Sequence, residues 1–299
     1  MPSFDTPAPI SVTIDLGVGD IRVVASARAD TVVEVRPTDS TNPSHVAAAE
    51  QTRVEYTGGR LLVKAPKGWN TGWKHYTFRG ITESIDVIIE LPDGSNVEGD
   101  AGVAAVRCEG RLGECRFKTG VGDIHVDQAS AVKLKSGGGD ITVNRAGSHA
   151  EVATGTGTLR VGNVDGSAVI SNSNGGIWVG KVAGQLRVHA ANGEISVDEA
   201  QSTVVAKTAN GDVRLGEVVY GTVVAQTARG SLDVGVRSGV AAWLDLKTQF
   251  GNVYNRLDAG EPAAPGEASV EVRARTAYGD ITVQRSGSPS TGSVGADVA

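Results

Sequence analysis

The chain has 299 residues, of which 40% are hydrophobic and 21% charged, values typical of a soluble globular protein. Its net charge of −6 argues against broad binding to nucleic acid or to anionic lipid, because both need a basic surface. No apolar run reaches the length of a membrane-spanning helix. With 40 glycines and only 4% aromatic residues, the core must be aliphatic and the chain rich in turns.

The first part of the chain, residues 1–98, is predicted to form a β-rich N-terminal cap. Five segments have strand character, since apolar and polar residues alternate in them: Ile10–Leu16, Ile21–Ala25, Thr31–Val35, Arg60–Lys64 and Ile85–Leu91. Pro43–Gln51 is the only segment that favours a helix. The N-terminus lacks the basic region and apolar run of a secretion signal, which predicts a cytoplasmic protein.

An aromatic and basic segment, residues 67–79, is the best candidate binding site. It holds four of the 13 aromatic residues, and its candidate contact residues are Trp69, Trp73, Lys74, Tyr76, Phe78 and Arg79. Such side chains on a loop suit contact with a protein, a glycan or a membrane interface. The alternative is a hairpin that folds over the end of the core as a plug. Trp178 and Trp243 are predicted to be surface or edge packing residues.

Two cysteines, Cys108 and Cys115, lie seven residues apart, a spacing that matches no common zinc site. They are interpreted as small apolar core residues, with a redox pair as the alternative. The five histidines are scattered, with no acid or nucleophile at a recognisable spacing. The sequence therefore predicts no catalytic residues, no metal site and no cofactor.

A pentapeptide of glycine, any residue, an aliphatic residue, any residue and valine recurs along the rest of the chain. The spacings between successive motif glycines are 17, 18, 18, 18, 18, 19, 21 and 28 residues, and the glycines are Gly122, Gly139, Gly157, Gly175, Gly193, Gly211, Gly230, Gly251 and Gly279. Positions seven and five before the glycine and two after it are apolar in every repeat. Four after it, only Asn255 breaks the pattern. The alternation predicts two short strands per repeat, separated by a glycine turn.

These repeats predict an all-β fold, a parallel β-solenoid of about ten short coils over residues 99–285. A unit of 18 residues is too short for a helical crossover, and one unit cannot bury its own apolar face. Successive repeats are therefore expected to stack about 4.8 Å apart. Residues 258–268 are interpreted as a loop insertion, and residues 286–299, rich in Ser, Gly and Pro, as a disordered tail.

Polar residues at the turns are predicted to bond to the backbone or along the axis of the solenoid. Most residues three before the motif glycine are Ser or Thr, and Asn174, Asn192 and Asn210 lie one coil apart. Asp123 and Asp140 follow motif glycines on adjacent coils, close enough to share a cation or act as paired carboxylates. Asp is also a common turn former, and the turn interpretation is favoured.

The segments 111–125 and 270–281, with the repeated Gly-Asp-Ile-x-Val units, resemble the "putative adhesin", or toastrack, β-strand repeat family. The resemblance covers about residues 8–285 and implies a β-solenoid. The family is largely of unknown function. Some members are attached to membrane modules of envelope-stress systems, and others are encoded near transporters, which implies an envelope-associated partner or a link to transport.

The sequence thus favours a non-catalytic scaffold or interaction module that binds a protein partner. Stacked strands at an uncapped end of the solenoid predict homo-oligomers as well. Two alternatives remain open. One is a polysaccharide-processing β-helix enzyme, and the other is an adhesin exported to the cell surface.

Overall fold

The computed structural model describes residues 1–66, 83–257 and 269–287. Within these ranges the chain forms one helix, α1 (Pro43–Gln51), and one continuous sheet of 25 strands. The strands are β1 (Ser3–Asp5), β2 (Ser11–Val18), β3 (Ile21–Ser26), β4 (Asp30–Pro37), β5 (Arg53–Thr57), β6 (Arg60–Lys64), β7 (Ile85–Pro92), β8 (Asn96–Val103), β9 (Val106–Val121), β10 (Ile124–Gly138), β11 (Ile141–Ala146), β12 (Ala150–Thr156), β13 (Leu159–Val164), β14 (Ala168–Asn174), β15 (Ile177–Val182), β16 (Leu186–Asn192), β17 (Ile195–Ala200), β18 (Val204–Lys207), β19 (Val213–Val218), β20 (Gly221–Arg229), β21 (Leu232–Val236), β22 (Ala241–Phe250), β23 (Val253–Asn255), β24 (Ser269–Tyr278) and β25 (Ile281–Arg285).

The strands stack as the sequence predicts, in parallel and in register with the motif glycine. The residues two after the glycine pair along one side of the solenoid, as Ile141 does with Leu159, and Leu159 with Ile177. On the other side the positions seven before the glycine pair in the same way, as Ala168 does with Leu186. Both columns point into a single aliphatic core. The predicted parallel β-solenoid is confirmed.

The coils do not follow one another in chain order at the N-terminal end. β2 and β3 form a coil that pairs with β8 and β9 on one side and with β6 and β7 on the other. After β1, the chain therefore enters the solenoid at the second coil, passes outward to build the outermost coil, and returns to continue the solenoid. The five strands and the helix predicted in this region are present, while the division of the chain at residue 98 stays a prediction.

The same inversion occurs at the C-terminal end, where it corrects the expectation that successive repeats stack in sequence order. β24 and β25, the coil of Gly279, pair with β20 and β21, the coil of Gly230. Among the described residues, β22 and β23, the coil of Gly251, pair with β24 and β25 alone. The Gly251 coil is thus outermost, although it precedes the Gly279 coil in the chain.

The N-terminal end is covered by antiparallel strands and by α1. β5 pairs with β6, β4 pairs with β7, and β1 extends β4. The helix starts at the cap residue Asn42, whose side chain accepts a hydrogen bond from the backbone N–H of Ser44. It buries Ala48 against the core. Among the described residues, no helix has the length and hydropathy needed to span a membrane.

Candidate interaction surface

The sequence-predicted site lies outside the described residues. Trp69, Trp73, Lys74, Tyr76, Phe78 and Arg79 all belong to residues 67–82, and the two interpretations of that segment, a binding loop and a core plug, both stay predictions. The predicted loop insertion 258–268 and residues 288–299 of the predicted tail 286–299 are outside the described ranges as well. The first residue of that predicted tail, Ser286, is described and donates hydrogen bonds to Glu217 and to the carbonyl of Val236.

The aspartates after the motif glycines act in the turns. Oδ1 of Asp123 accepts a hydrogen bond from the backbone N–H of Asp140 at 2.8 Å, and Oδ1 of Asp140 accepts one from Thr158 at 2.6 Å. Asp212 and Asp280 bond to the adjacent coil in the same way. Each carboxylate thus ties one glycine turn to the next, and the turn interpretation of this column is confirmed. Within the described ranges, no three His, Cys, Asp or Glu side chains converge as a metal site.

Replacing Asp140 with alanine is expected to lower the free energy of unfolding by about 1 kcal/mol. The substitution removes the carboxylate that accepts from the backbone N–H of Thr158, and that N–H is then left to bond to water. Asp140→Asn keeps an oxygen at the same place and should lose less than half of that. Urea denaturation of the two variants measures the difference. Equal losses in both would show that the charge, and not the hydrogen bond, holds the turn.

The asparagine column is also used structurally. Nδ2 of Asn192 donates to Oδ1 of Asn174 at 3.0 Å, and Nδ2 of Asn210 donates to Oδ1 of Asn192 at 2.9 Å. The predicted bonding of stacked asparagines along the solenoid axis is confirmed. These side-chain amides hydrogen-bond to one another and so stabilise the corner of the stacked coils.

The two cysteines are buried free thiols, Cys108 on one side of the core and Cys115 on the other. A hydrogen bond with Cys115, together with burial, raises the pKa of the Cys108 thiol, so it stays protonated at neutral pH. A buried, protonated thiol is a poor nucleophile. Their interpretation as small core residues is confirmed.

Five described carboxylates have shifted pKa values: those of Asp30, Asp39, Glu151 and Glu199 are lowered, and that of Asp233 is raised. Hydrogen bonds from Lys133 and Lys135 hold the pKa of Glu151 below its usual value. Burial raises the pKa of Asp233, an effect that two nearby arginines partly offset. Glu151 lies on β12 and Asp233 on β21, four coils along the solenoid and on its other side. The two therefore do not make a paired acid and base.

Trp178 is packed on the outer face. The guanidinium of Arg160 lies 5.9 Å from its ring centroid, and its Nε1 donates to Oδ1 of Asp198 at 3.2 Å. The ring reaches over Gly180, where an added Cβ would lie 3.3 Å from it. Because its ring contacts Arg160 and its Nε1 bonds to Asp198, Trp178 is a surface packing residue, as predicted.

The outermost coil at the C-terminal end carries a different surface. Half of the exposed large hydrophobic side chains in the described part of the chain lie on this coil or on the one beside it. We call these residues the C-terminal edge surface, and they are Trp243 (66% exposed), Phe250 (62%), Val253 (45%), Tyr254 (42%) and Tyr278 (53%). The rings of Phe250 and Tyr278 stack at 4.9 Å between centroids, only 9° from parallel. Contiguous exposed apolar groups mark an interaction site more often than isolated ones do. Phe250 and Tyr278 form such a contact at one end of the coil, and Trp243 lies near the other end of β22.

The surface arises because nothing in the described chain covers this end. Within residues 1–66, 83–257 and 269–287, β22 pairs with β24 alone and β23 with β25 alone, so each strand has one row of backbone N–H and C=O groups that no described strand pairs with. Leu244 and Leu246 occupy core positions yet are only partly buried. At the other end, Leu61 and Val63 hold the corresponding places in the outermost coil and are each 1% exposed. The two ends of the solenoid therefore differ in what covers them.

The sequence contained a signal for this end that repeat counting missed. Asn255 is the one polar residue at the valine position, and the spacing from Gly251 to Gly279 is 28 residues, the longest in the series. Both features belong to the coil that ends the stack. Trp243 is an edge residue, as predicted, but its place on the outermost coil depends on the order in which the coils stack.

The chain is similar to several solved structures at low sequence identity. A putative adhesin from Bacteroides fragilis is 14% identical over 94% of this chain and 95% of its own, with a TM-score of 0.38. A putative adhesin from Parabacteroides distasonis is 14% identical over 94% and 95%, with a TM-score of 0.31. A putative cell adhesion protein from Clostridium sporogenes is 12% identical over 95% and 98%, with a TM-score of 0.24.

None of the curated proteins matches the sequence significantly. The model of one family does, and its match spans residues 11–294, nearly the whole chain. The glycine-marked coils and every strand but β1 fall within that span. The chain therefore belongs to the Toastrack DUF4097 family.

Proposed function

We propose that this chain is a non-catalytic interaction module that binds a protein through its C-terminal edge surface. The observation that carries the proposal is the combination, on one coil, of unpaired strand edges with exposed aromatic side chains. Aromatic residues are the side chains that most often dominate binding energy at protein interfaces.

The chemistry of the edge favours a protein over a small molecule. Free backbone N–H and C=O groups are best satisfied by another strand, which adds to the sheet and places alternate side chains against the neighbouring surface. Trp243 and Phe250 would then supply apolar contacts beside that strand. The carboxylates of the turn column, which could otherwise serve as acids or bases, are engaged with backbone N–H groups.

A photo-crosslinking amino acid at position 243 tests the proposal in cells of the native host. Gln185 is the matched control, because it is also exposed and occupies the same place, eight residues before a motif glycine, in the middle of the solenoid. We expect a protein adduct from position 243 and none from position 185. Mass spectrometry of the adduct identifies the peptide in contact.

Two outcomes would contradict the proposal. An absence of adducts at position 243, or the same adducts from both positions, would remove the C-terminal edge surface as the binding site. Product formation from acidic polysaccharides incubated with the purified chain would overturn the non-catalytic assignment and favour a β-helix enzyme.

A further inference from the structure

We propose that the protein bound at the C-terminal edge surface is a second copy of this chain, joined through β22 about a twofold axis. The assignment rests on the proposed function, since it names the occupant of the same surface. Its arguments are the free strand edge, the charge pattern of β22 and the difference between the two ends of the solenoid.

A twofold axis across the end of the solenoid brings two β22 strands together in antiparallel orientation. Antiparallel partners exchange backbone hydrogen bonds, so both free edges are satisfied at once. Directly opposed residues lie on the same face of the sheet. The core positions of one copy therefore meet those of the other, and the partly buried Leu244 and Leu246 become covered as in an inner coil.

The charges of β22 fix one register. Its sequence places Asp245 and Lys247 on the exposed face, on either side of Leu246. With Leu246 opposite its own copy, each Asp245 faces the Lys247 of the second copy, and both opposite-charge pairs are favourable. A shift by two residues places like residues or neutral ones opposite the charges instead.

The same register suits the bulky side chains. Phe250 of one copy lies opposite Ala242 of the other, so a large ring meets a small side chain. Trp243 lies opposite Gln249 on the exposed face, so the indole meets a flexible polar side chain. Large residues paired with small or flexible ones allow close approach of the two edges.

The N-terminal end does not accept the same contact, so the assembly closes as a dimer. That end carries the antiparallel strand β5, whose exposed face holds the charged pair Arg53 and Glu55. β5 already pairs with β6, and the core positions Leu61 and Val63 of β6 are each 1% exposed, so a second copy at this end would cover no partly buried core residue of β6. Head-to-tail growth into a fibre would need both ends, whereas an isologous contact uses one.

A charge-reversal set tests both the partner and the register. The full-length chain is expected to sediment as a dimer at micromolar concentration. D245K places Lys opposite Lys247, and K247D places Asp opposite Asp245, so each should weaken dimerisation by about tenfold or more. The double variant D245K/K247D restores opposite charges and should dimerise like the unmodified chain.

Mixing the two single variants tests the proposed register most directly. D245K presents two lysines and K247D two aspartates, so a heterodimer has only opposite-charge pairs, and we expect it to form where neither variant alone dimerises. Asp245 also pairs with Arg275 at 3.1 Å within one copy, so thermal unfolding of each variant must stay close to that of the unmodified chain. Rescue in the mixture cannot come from a folding defect.

The outcomes separate this inference from the proposed function. A monomeric unmodified chain, or a dimer that neither variant weakens, overturns the β22 dimer. If position 243 then crosslinks to a different protein, the interaction module stands and only its occupant changes. If position 243 crosslinks to nothing and the chain is monomeric, both proposals are overturned.

Discussion

Replacing Gly139 with alanine is expected to lower the free energy of unfolding by about 3 kcal/mol or more, one of the largest effects of any single substitution in this chain. Gly139 has a φ of +130°, a conformation open almost only to glycine. An added Cβ would lie 2.3 Å from the carbonyl oxygen of Gly122 on the preceding coil. Strain in the backbone and collision between coils therefore act together.

Gly138 provides the matched control one residue away. Its φ is not in the left-handed region, and a Cβ there would meet no atom within 4 Å. Gly138→Ala should change stability by less than about 1 kcal/mol, since it mainly reduces the freedom of the unfolded chain. Denaturant midpoints of the two variants decide the matter. Similar midpoints would mean that the coils can move apart at the turn at little cost.

The periodic columns explain why the register could be predicted from the sequence. Every repeat has the same apolar positions relative to its glycine, so in-register parallel stacking is the one arrangement that buries all of them. Ile141, Leu159 and Ile177 align for this reason. The helix at Pro43–Gln51 could also be predicted from the sequence, because proline and the preceding Asn42 mark its start.

The order of the coils could not be predicted from the same columns. Because the repeats present equivalent apolar positions, the Gly230 coil can be followed by either the Gly251 or the Gly279 coil without loss of the pattern. The Gly251 coil differs from the Gly279 coil in being exposed at the end of the stack. The sequence indicates this exposure only through Asn255 and the nearby aromatic residues. The C-terminal edge surface depends on that order, so the structure was needed to find it.

Some core details depend on contacts between specific coils as well. Phe117 is the largest side chain in its column, and its ring occupies the place where a Cβ of Gly99 would be, 2.1 Å from Cε1. Gly99 lies on β8, directly beside Phe117 in the sheet. Neither residue alone predicts the pairing, because the large ring and the missing side chain belong to adjacent coils.

Asn172 is expected to be the most important polar residue of the core, and Asn172→Ala should lower the free energy of unfolding by about 2 kcal/mol or more. In most coils a Ser or Thr three before the motif glycine donates to the preceding glycine carbonyl, as Thr154 does to Gly139. Nδ2 of Asn172 donates to Gly157 at 2.8 Å and also to Gly175 at 2.9 Å. Its removal leaves both carbonyls without that donor.

The second bond compensates for a missing hydroxyl on the next coil. In most of the other coils the hydroxyl three residues before a motif glycine donates to the glycine carbonyl of the adjacent coil. For the carbonyl of Gly175 that donor would come from position 190, but this residue is alanine. The longer amide of Asn172 reaches across to it, although Oδ1 of the same side chain is buried without a partner. The Asn172 amide therefore replaces the hydroxyl donors of two coils, and its own Oδ1 is left without a hydrogen-bond partner.

A double-mutant cycle separates this role from simple packing. Asn172→Thr keeps a donor for Gly157 but not for Gly175, and should cost about 1 kcal/mol. Adding Ala190→Thr supplies the second donor and removes the unsatisfied oxygen, so the double variant should be at least as stable as the unmodified chain. Ala190→Thr alone should gain little, because Gly175 is already served. Additive effects of the two substitutions in urea denaturation would show that the two coils do not share this carbonyl.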